Sequence, residues 1–257
     1  MSVYIERHGN VSRPSLVLLH GWGMSSQIWD SILSSLTPYF YVTTIDLPGL
    51  GRSVADTTPS LQSIAFEVAK QVERPSIWLG WSLGGVVATQ IAVDHPEKVR
   101  GLVTVASNPC FVSREDWPCA MPAETYQQFK SAVKVNPIKA LSRFSMLQVQ
   151  GGHNAKPLLK CLKDIVEQSS PSHLMATLEI LEGDYRALWA QVQKPALHLL
   201  GSVDALVPES LADGLEEIVP DHDVVMFNAA GHLPFLAFPQ AFVESLAIFA
   251  RGLARDE

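Results

Sequence analysis

The apolar positions of the chain follow two alternating rhythms. Short uninterrupted runs, Ser15-Leu16-Val17-Leu18-Leu19-His20 and Tyr41-Val42-Thr43-Thr44-Ile45-Asp46, end at Gly21 and at Pro48-Gly49, with the length and punctuation of buried strands. Between them Ile28, Trp29, Ile32, Leu33 and Leu36 recur at helical spacing, and Leu61 to Val72 repeats that spacing before the next run, Ser76-Ile77-Trp78-Leu79. The pattern reads βαβαβ. Further strands are expected at Val99–Ala106, Ala196–Leu200 and Asp223–Phe227, and a terminal helix from about Pro239 to Leu253. Strands that are apolar throughout imply a mostly parallel sheet covered by helices on both faces, so the fold class is α/β.

The stretch from 112 to 188 breaks this rhythm. It is helix-rich, is punctuated by Pro118, Pro122, Pro137, Pro157 and Pro171, and contains Gly151-Gly152. We read it as a helical cap inserted after the sixth core strand, leaving residues 1–111 and 189–257 as the core. A chain of 257 residues that is 47% apolar can bury a large core, and one domain with an insertion is its simplest organisation.

Charge alters the picture at the cap. From Tyr126 to Lys163 there are seven basic residues (Lys130, Lys134, Lys139, Arg143, Lys156, Lys160, Lys163) and no acid, whereas the rest of the chain carries 12 basic against 26 acidic residues. Such a run is either an ordinary solvated helix face or a docking surface for an acidic macromolecule. The net charge of -7 argues against nonspecific nucleic-acid binding. No apolar run reaches the roughly 18 residues of a membrane span, and the start MSVYIERHGN lacks the basic-then-apolar order of a secretion signal, so a cytoplasmic protein is expected. Cys110, Cys119 and Cys161 are odd in number and lack C-x-x-C spacing, which points to free thiols rather than disulfides or zinc.

The candidate chemistry begins at Gly80-Trp81-Ser82-Leu83-Gly84, a G-x-S-x-G pentapeptide between an apolar run and a helix-like stretch. A serine at such a turn has its hydroxyl pushed out of the backbone toward a substrate. For the acid, Asp204 follows the strand ending Leu199-Leu200-Gly201 and is favoured over Asp46, which precedes the serine in a glycine-rich turn. His232, in Ala229-Ala230-Gly231-His232 after the final strand, is the favoured base. His198 lies within a strand and is expected in the core. His8, His95, His153, His173 and His222 are expected at the surface, and Asp221-His222-Asp223 reads as a solvated turn before it reads as a metal site. His20-Gly21-Trp22-Gly23 follows the first long strand, so the backbone N–H groups of Trp22 and Leu83 can converge on an oxyanion. His20 shapes that turn, and the Trp22 indole either packs in the core or walls an acyl pocket.

His20-Gly-Trp-Gly, Asp46-Leu-Pro-Gly-Leu-Gly-Arg-Ser, Gly80-Trp-Ser-Leu-Gly-Gly, Gly201-Ser-Val-Asp204 and Gly231-His232 together resemble the α/β-hydrolase superfamily over nearly the whole chain. Within it, Trp78-Leu-Gly-Trp-Ser-Leu-Gly-Gly-Val-Val-Ala, Leu102-Val-Thr-Val-Ala-Ser-Asn-Pro-Cys-Phe111 and Arg114-Glu-Asp-Trp-Pro118 resemble the BioH carboxylesterases of biotin synthesis. The resemblance implies hydrolysis of the methyl ester of pimeloyl-acyl carrier protein to the free acid and methanol. It implies Ser82, Asp204 and His232 as a triad, Trp22, Leu83 and Phe111 as oxyanion and substrate contacts, and Arg143, Phe144, Ser145, Met146, Leu147 and Gln148 as a substrate-contacting stretch. Lys139, Arg143, Lys156, Lys160 and Lys163 stand where that family's cap arginines engage the carrier, mostly as lysine, which keeps the charge and loses the bidentate fork. Small esters are expected as substrates too, with no metal or organic cofactor, no membrane or nucleic-acid partner, and a monomer as the working form. The competing readings are a general short-chain carboxylesterase or a carbon–carbon bond hydrolase of the same fold, and a noncatalytic binding protein on that fold. Dehalogenase and epoxide hydrolase chemistry is disfavoured because it requires Asp at position 82.

Overall fold

The computed structural model describes residues 1–168 and 171–255. Its strands are β1 (Ile5–His8), β2 (Ser15–Leu19), β3 (Tyr41–Ile45), β4 (Ser76–Trp81), β5 (Val99–Val105), β6 (Ala196–Gly201) and β7 (Asp223–Phe227). They form one sheet in the order β1-β3-β2-β4-β5-β6-β7, parallel except for β1, which runs antiparallel to β3 with Ile5 opposite Ile45. The helices are α1 (Asp30–Leu36), α2 (Leu61–Ala69), α3 (Leu83–Asp94), α4 (Ala123–Val135), α5 (Pro137–Val149), α6 (Ala155–Gln168), α7 (Leu174–Ile180), α8 (Arg186–Trp189), α9 (Leu211–Ile218), α10 (Pro234–Ala237) and α11 (Pro239–Leu253).

Alternation along the strands explains the two-faced core. In β2, Val17 and Leu19 join Ile45 and Trp78 against α2 and α3, whereas Leu16 and Leu18 join Ile77 and Leu79 against α1 and α11. Every residue of β2 and β4 is buried, as expected where helices cover both faces. Each fully buried leucine contributes roughly 1.5–3 kcal/mol. Helix α2 starts at a reciprocal cap, in which Ser60 Oγ accepts the Ser63 N–H (3.2 Å) and Ser63 Oγ accepts the Ser60 N–H (2.9 Å). It stops at Ala69, short of Val72, as the chain tightens into three-residue turns, with the Gln71 N–H on the Val68 carbonyl (3.0 Å) and the Val72 N–H on the Ala69 carbonyl (3.3 Å), and the Lys98 ammonium caps the carbonyls of Ala69 (3.0 Å) and Val72 (2.8 Å).

Helices α4 to α8 all lie between β5 and β6. The strand ahead of this insertion is therefore the fifth and not the sixth. Ahead of β1, Ser2 makes a single antiparallel bridge to Val54. Strand β1 itself was absent from the sequence-based pattern. It is four residues long, is mostly half-buried and contains Glu6 and Arg7, so it has no apolar run to announce it.

A parallel sheet brings the C-terminal ends of β2, β4, β5, β6 and β7 to one edge, and with them the segments holding Trp22, Ser82, Ser107, Asp204 and His232. The sharpest of these junctions is that between β4 and α3. A β-carbon on Gly80 would collide with the Gly84 carbonyl, and one on Gly84 would lie 2.5 Å from the Leu19 carbonyl oxygen, so only glycine lets α3 start this close to the sheet. Gly80→Ala is expected to lose more than about 4 kcal/mol of stability or to fail to fold. Urea denaturation checks this, and a midpoint matching the parent would contradict the packing.

Candidate active site

Ser82 sits between β4 and α3 with φ 53° and ψ -119°, a backbone conformation that costs an L-residue about 1–2 kcal/mol. The surroundings hold it there. Its N–H donates to the Val105 carbonyl (2.8 Å), while its own carbonyl accepts the Gly85 N–H (2.9 Å) and the Ser107 hydroxyl (2.7 Å).

Asp204 and His232 meet over the same edge. The carboxylate can only accept, so His232 Nδ1 carries the proton and donates to Asp204 Oδ2 at 2.7 Å, leaving a lone pair on Nε2. The other carboxylate oxygen accepts the N–H groups of Leu206 (2.8 Å) and Val207 (3.1 Å), which fixes the acid. The histidine loop is also clamped: the His232 N–H donates to the Gln148 carbonyl (3.0 Å), and its carbonyl accepts the Trp81 indole N–H (2.8 Å). Nε2 is buried without a partner and lines the same cavity as Ser82. A buried, oriented imidazole with a free lone pair beside a strained serine is suited to take that serine's proton.

The remaining walls of this cavity are apolar. Phe111, Met121, Tyr126, Phe129, Phe144, Leu178, Leu181 and Leu206 enclose a volume of about 20 Å³, room for about one water. The Tyr126 hydroxyl is occupied by the Leu178 carbonyl (2.9 Å), and burial pushes its pKa above the ordinary phenol value. Trp22 packs against two of these walls: its indole donates to the Leu174 carbonyl (2.9 Å), and its ring meets Phe129 and Phe144 edge-on at 5.4 and 5.2 Å. No turn or loop carbonyl takes the N–H of Trp22 or of Leu83 among the described residues, which leaves both as donors for an oxyanion.

The segment from Arg143 to Gln148 does not face the cavity as a block. Helical periodicity turns Phe144, Ser145 and Gln148 inward and leaves Arg143 and Met146 exposed and Leu147 half-buried. Phe144 lines the cavity, and Ser145 spends its hydroxyl on the Leu141 carbonyl (3.0 Å). Gln148 is buried with both amide atoms unpartnered. Lys139 and Arg143 on α5 and Lys156, Lys160 and Lys163 on α6 are exposed on two helices that pack together, whereas Lys130 is tied to Glu179 (3.1 Å) and Glu182 (3.0 Å).

The other histidines have structural settings. His20 is buried, with Nδ1 on the Gly21 carbonyl (2.8 Å) and Nε2 on the Leu47 N–H (2.9 Å), and burial lowers its pKa. His198 is buried between Thr104 (2.7 Å) and His222 (3.1 Å), and burial followed by the His222 charge pushes its pKa down to about 3. The expectation of five surface histidines needs correction. Of these five only His153 is exposed; His8, His95, His173 and His222 are half-buried, His8 in β1 opposite Val42, His95 against Phe66, His173 through the Ala55 carbonyl (3.0 Å) and His222 through His198 (3.1 Å). Asp46 lies far from any acid role. It is fully buried and accepts the Ser26 N–H (2.7 Å), the Arg52 N–H (2.8 Å) and Arg52 Nε (2.9 Å).

Asn108 was not among the sequence candidates. Its Oδ1 accepts the Cys110 N–H (2.9 Å) and the Trp117 indole N–H (3.0 Å), and its Nδ2 donates to the Cys119 carbonyl (2.8 Å). These bonds fold the loop that presents Phe111 and Met121 to the cavity. The only sequence signal was an amide in the Asn108-Pro109 turn.

Residues 16–245 match the Alpha/beta hydrolase family, and the chain belongs to that family. A protein of Pectobacterium carotovorum named pimeloyl-[acyl-carrier protein] methyl ester esterase is 42% identical over 255 residues, covering 98% of this chain and 99% of that one. A protein of the same name from Klebsiella pneumoniae is 40% identical over 235 residues, 90% of this chain and 91% of that one. Among solved structures, an esterase from Exiguobacterium antarcticum superposes with a TM-score of 0.87 at 21% identity over 97% of this chain and 95% of that one. A bromoperoxidase from Bacillus anthracis gives 0.86 at 22% identity with the same coverage, so the fold is shared across different chemistries.

The buried Asp46 generates a pH prediction. Burial alone would raise its carboxyl pKa, but the neighbouring His20 and the hydrogen bonds from Arg52 and Ser26 outweigh this and hold it below the ordinary value. A lowered folded-state pKa gives stability that is complete above the unfolded value, near pH 4, and is lost as pH falls through the folded value. Asp46→Asn is expected to cost roughly 2–4 kcal/mol at neutral pH, with the gap to the parent narrowing below about pH 4. Urea titrations across that range measure it.

Proposed function

We propose that this protein is a serine carboxylesterase that hydrolyses the methyl ester of pimeloyl-acyl carrier protein, giving the free acid and methanol in biotin synthesis. The observation that carries this reading is the 42% identity to a pimeloyl-[acyl-carrier protein] methyl ester esterase over almost the full length of both chains. His232 takes the Ser82 proton, Ser82 attacks the ester carbonyl, and the N–H groups of Trp22 and Leu83 hold the oxyanion. The Ser82-bound tetrahedral species expels methoxide, which leaves as methanol with the proton from His232. Water then adds to the acyl-enzyme by the same route and releases the acid, and Asp204 keeps the imidazole in the tautomer that both steps need.

Residues 112–188 act in this reading as a cap on a core of 1–111 and 189–257. A cavity with room for about one water holds no acyl chain, so the cap walls separate when substrate enters. A groove of about 910 Å³ beside the cavity supports an entry path, for it is lined by Val133, Lys134, Ile138, Leu141, Leu174 and Met175 among others. Leu141 and Leu174 stand one helical turn from Phe144 on α5 and Leu178 on α7, which line the cavity, so the same two helices wall both spaces. The exposed cations of α5 and α6 then attract the acidic carrier. Among the described residues no helix is long and apolar enough to cross a membrane, and the protein acts on this reading as a cytoplasmic monomer without a cofactor.

Ser82→Ala and His232→Ala are expected to lower kcat on p-nitrophenyl acetate by about 10⁴-fold or more. Near-parental rates would remove the triad. Complementation of a biotin auxotroph lacking its pimeloyl-ester esterase is expected with the parent and not with Ser82→Ala; failure of a soluble parent would leave a general esterase. Changing Lys156, Lys160 and Lys163 together to Glu is expected to lower kcat/KM for the carrier-bound ester about tenfold or more while leaving the small ester within about twofold. Equal losses on both substrates would count against docking at this face.

A further inference from the structure

We propose that Ser107 is a positioning residue for the oxyanion donor Leu83, an inference that rests on reading Ser82 as the nucleophile. The peptide unit between Ser82 and Leu83 is planar and trans, so its carbonyl and its N–H point in opposite directions. The N–H end is one of the two donors available to the oxyanion. The carbonyl end is gripped by the Ser107 hydroxyl at 2.7 Å and by the Gly85 N–H at 2.9 Å. Holding one end of a rigid plane aims the other, and a hydrogen bond to the carbonyl polarises the amide so that its N–H becomes the stronger donor.

The backbone is bent to place this hydroxyl. Strand β5 ends at Val105, which pairs with Trp81, and the next residue, Ala106, turns left-handed at φ 45° although it carries a side chain. Its N–H is anchored to the Leu199 carbonyl at 2.8 Å. Two left-handed non-glycine residues, Ser82 and Ala106, thus follow paired residues of neighbouring strands, and strain of this kind persists only where the surroundings enforce it. The turn swings Ser107 under the start of α3. A β-carbon on Gly85 would lie 2.5 Å from both Cβ and Oγ of Ser107, so the side chain fills the space that glycine leaves. Ser107 is fully buried, and among the described residues the one acceptor its hydroxyl serves is the Ser82 carbonyl.

Ser107→Ala keeps the β-carbon and leaves the Ser82 carbonyl one donor, so the fold is expected to survive with a near-parental Tm. On p-nitrophenyl butyrate, kcat is expected to fall about tenfold with KM within about twofold, the size of one weakened donor acting at second hand. Affinity for an alkyl trifluoromethyl ketone, which forms a charged tetrahedral adduct on Ser82, should fall by the same factor, while inhibition by butyrate should not change. Ser107→Thr, which retains the hydroxyl, is expected to recover most of the loss. Unchanged kcat and ketone affinity in Ser107→Ala would overturn the proposal. So would a loss shared by KM, butyrate inhibition and Tm, which marks general loosening. A parent whose esterase activity survives Ser82→Ala would instead overturn the reading of the site, independently of Ser107.

Discussion

The site depends on one close approach, that of the first turn of α3 to the ends of β2 and β4. Gly80 and Gly84 make it possible because neither has a β-carbon to collide, and the chain between them is left so little room that Ser82 adopts a left-handed backbone. The strain is small beside the burial that enforces it, for Leu83 to Ala92 are all buried. Function follows from this geometry. The same turn that exposes the serine hydroxyl to the cavity also frees the Leu83 N–H, since the first N–H groups of a helix have no partner within it.

Parallel topology supplies the rest. The loops after β6 and β7 arrive at the same edge as Ser82 because their strands run the same way, and the 2.7 Å contact between Asp204 and His232 closes across them. The segment between β5 and β6 supplies most of the cavity walls at this edge. It is also tied to the histidine loop, through the Gln148 carbonyl on the His232 N–H and the Ala229 carbonyl on the His153 N–H (2.9 Å). The C-terminal end of α5 is thereby anchored beside His232.

What was legible in the sequence is what local rules govern. The apolar runs marked the buried parallel strands, and a serine flanked by Gly80 and Gly84 marked a tight strand-to-helix turn, because no other residue fits there. Asp204 and His232 were legible from their place after strands. What was not legible depends on contacts between distant segments. Strand β1 borrows its stability from β3, and Ser107 and Asn108 act through hydrogen bonds whose partners no spacing rule connects. Helical periodicity separates Phe144 from Arg143 and Met146, although the resemblance implied one continuous contact stretch. The burial of His173 and His222 comes from Ala55 and His198, far from either in the chain.

Ser82 is proposed to hydrolyse a methyl ester at the end of a carrier-bound acyl chain. Intact-mass spectrometry of pimeloyl-acyl carrier protein methyl ester incubated with the purified protein tests it directly. The carrier is expected to lose the mass of one methylene, with methanol released in equal amount, and Ser82→Ala to abolish the change. A carrier left intact by a protein that still cleaves p-nitrophenyl acetate, or one cleaved equally by Ser82→Ala, would contradict it.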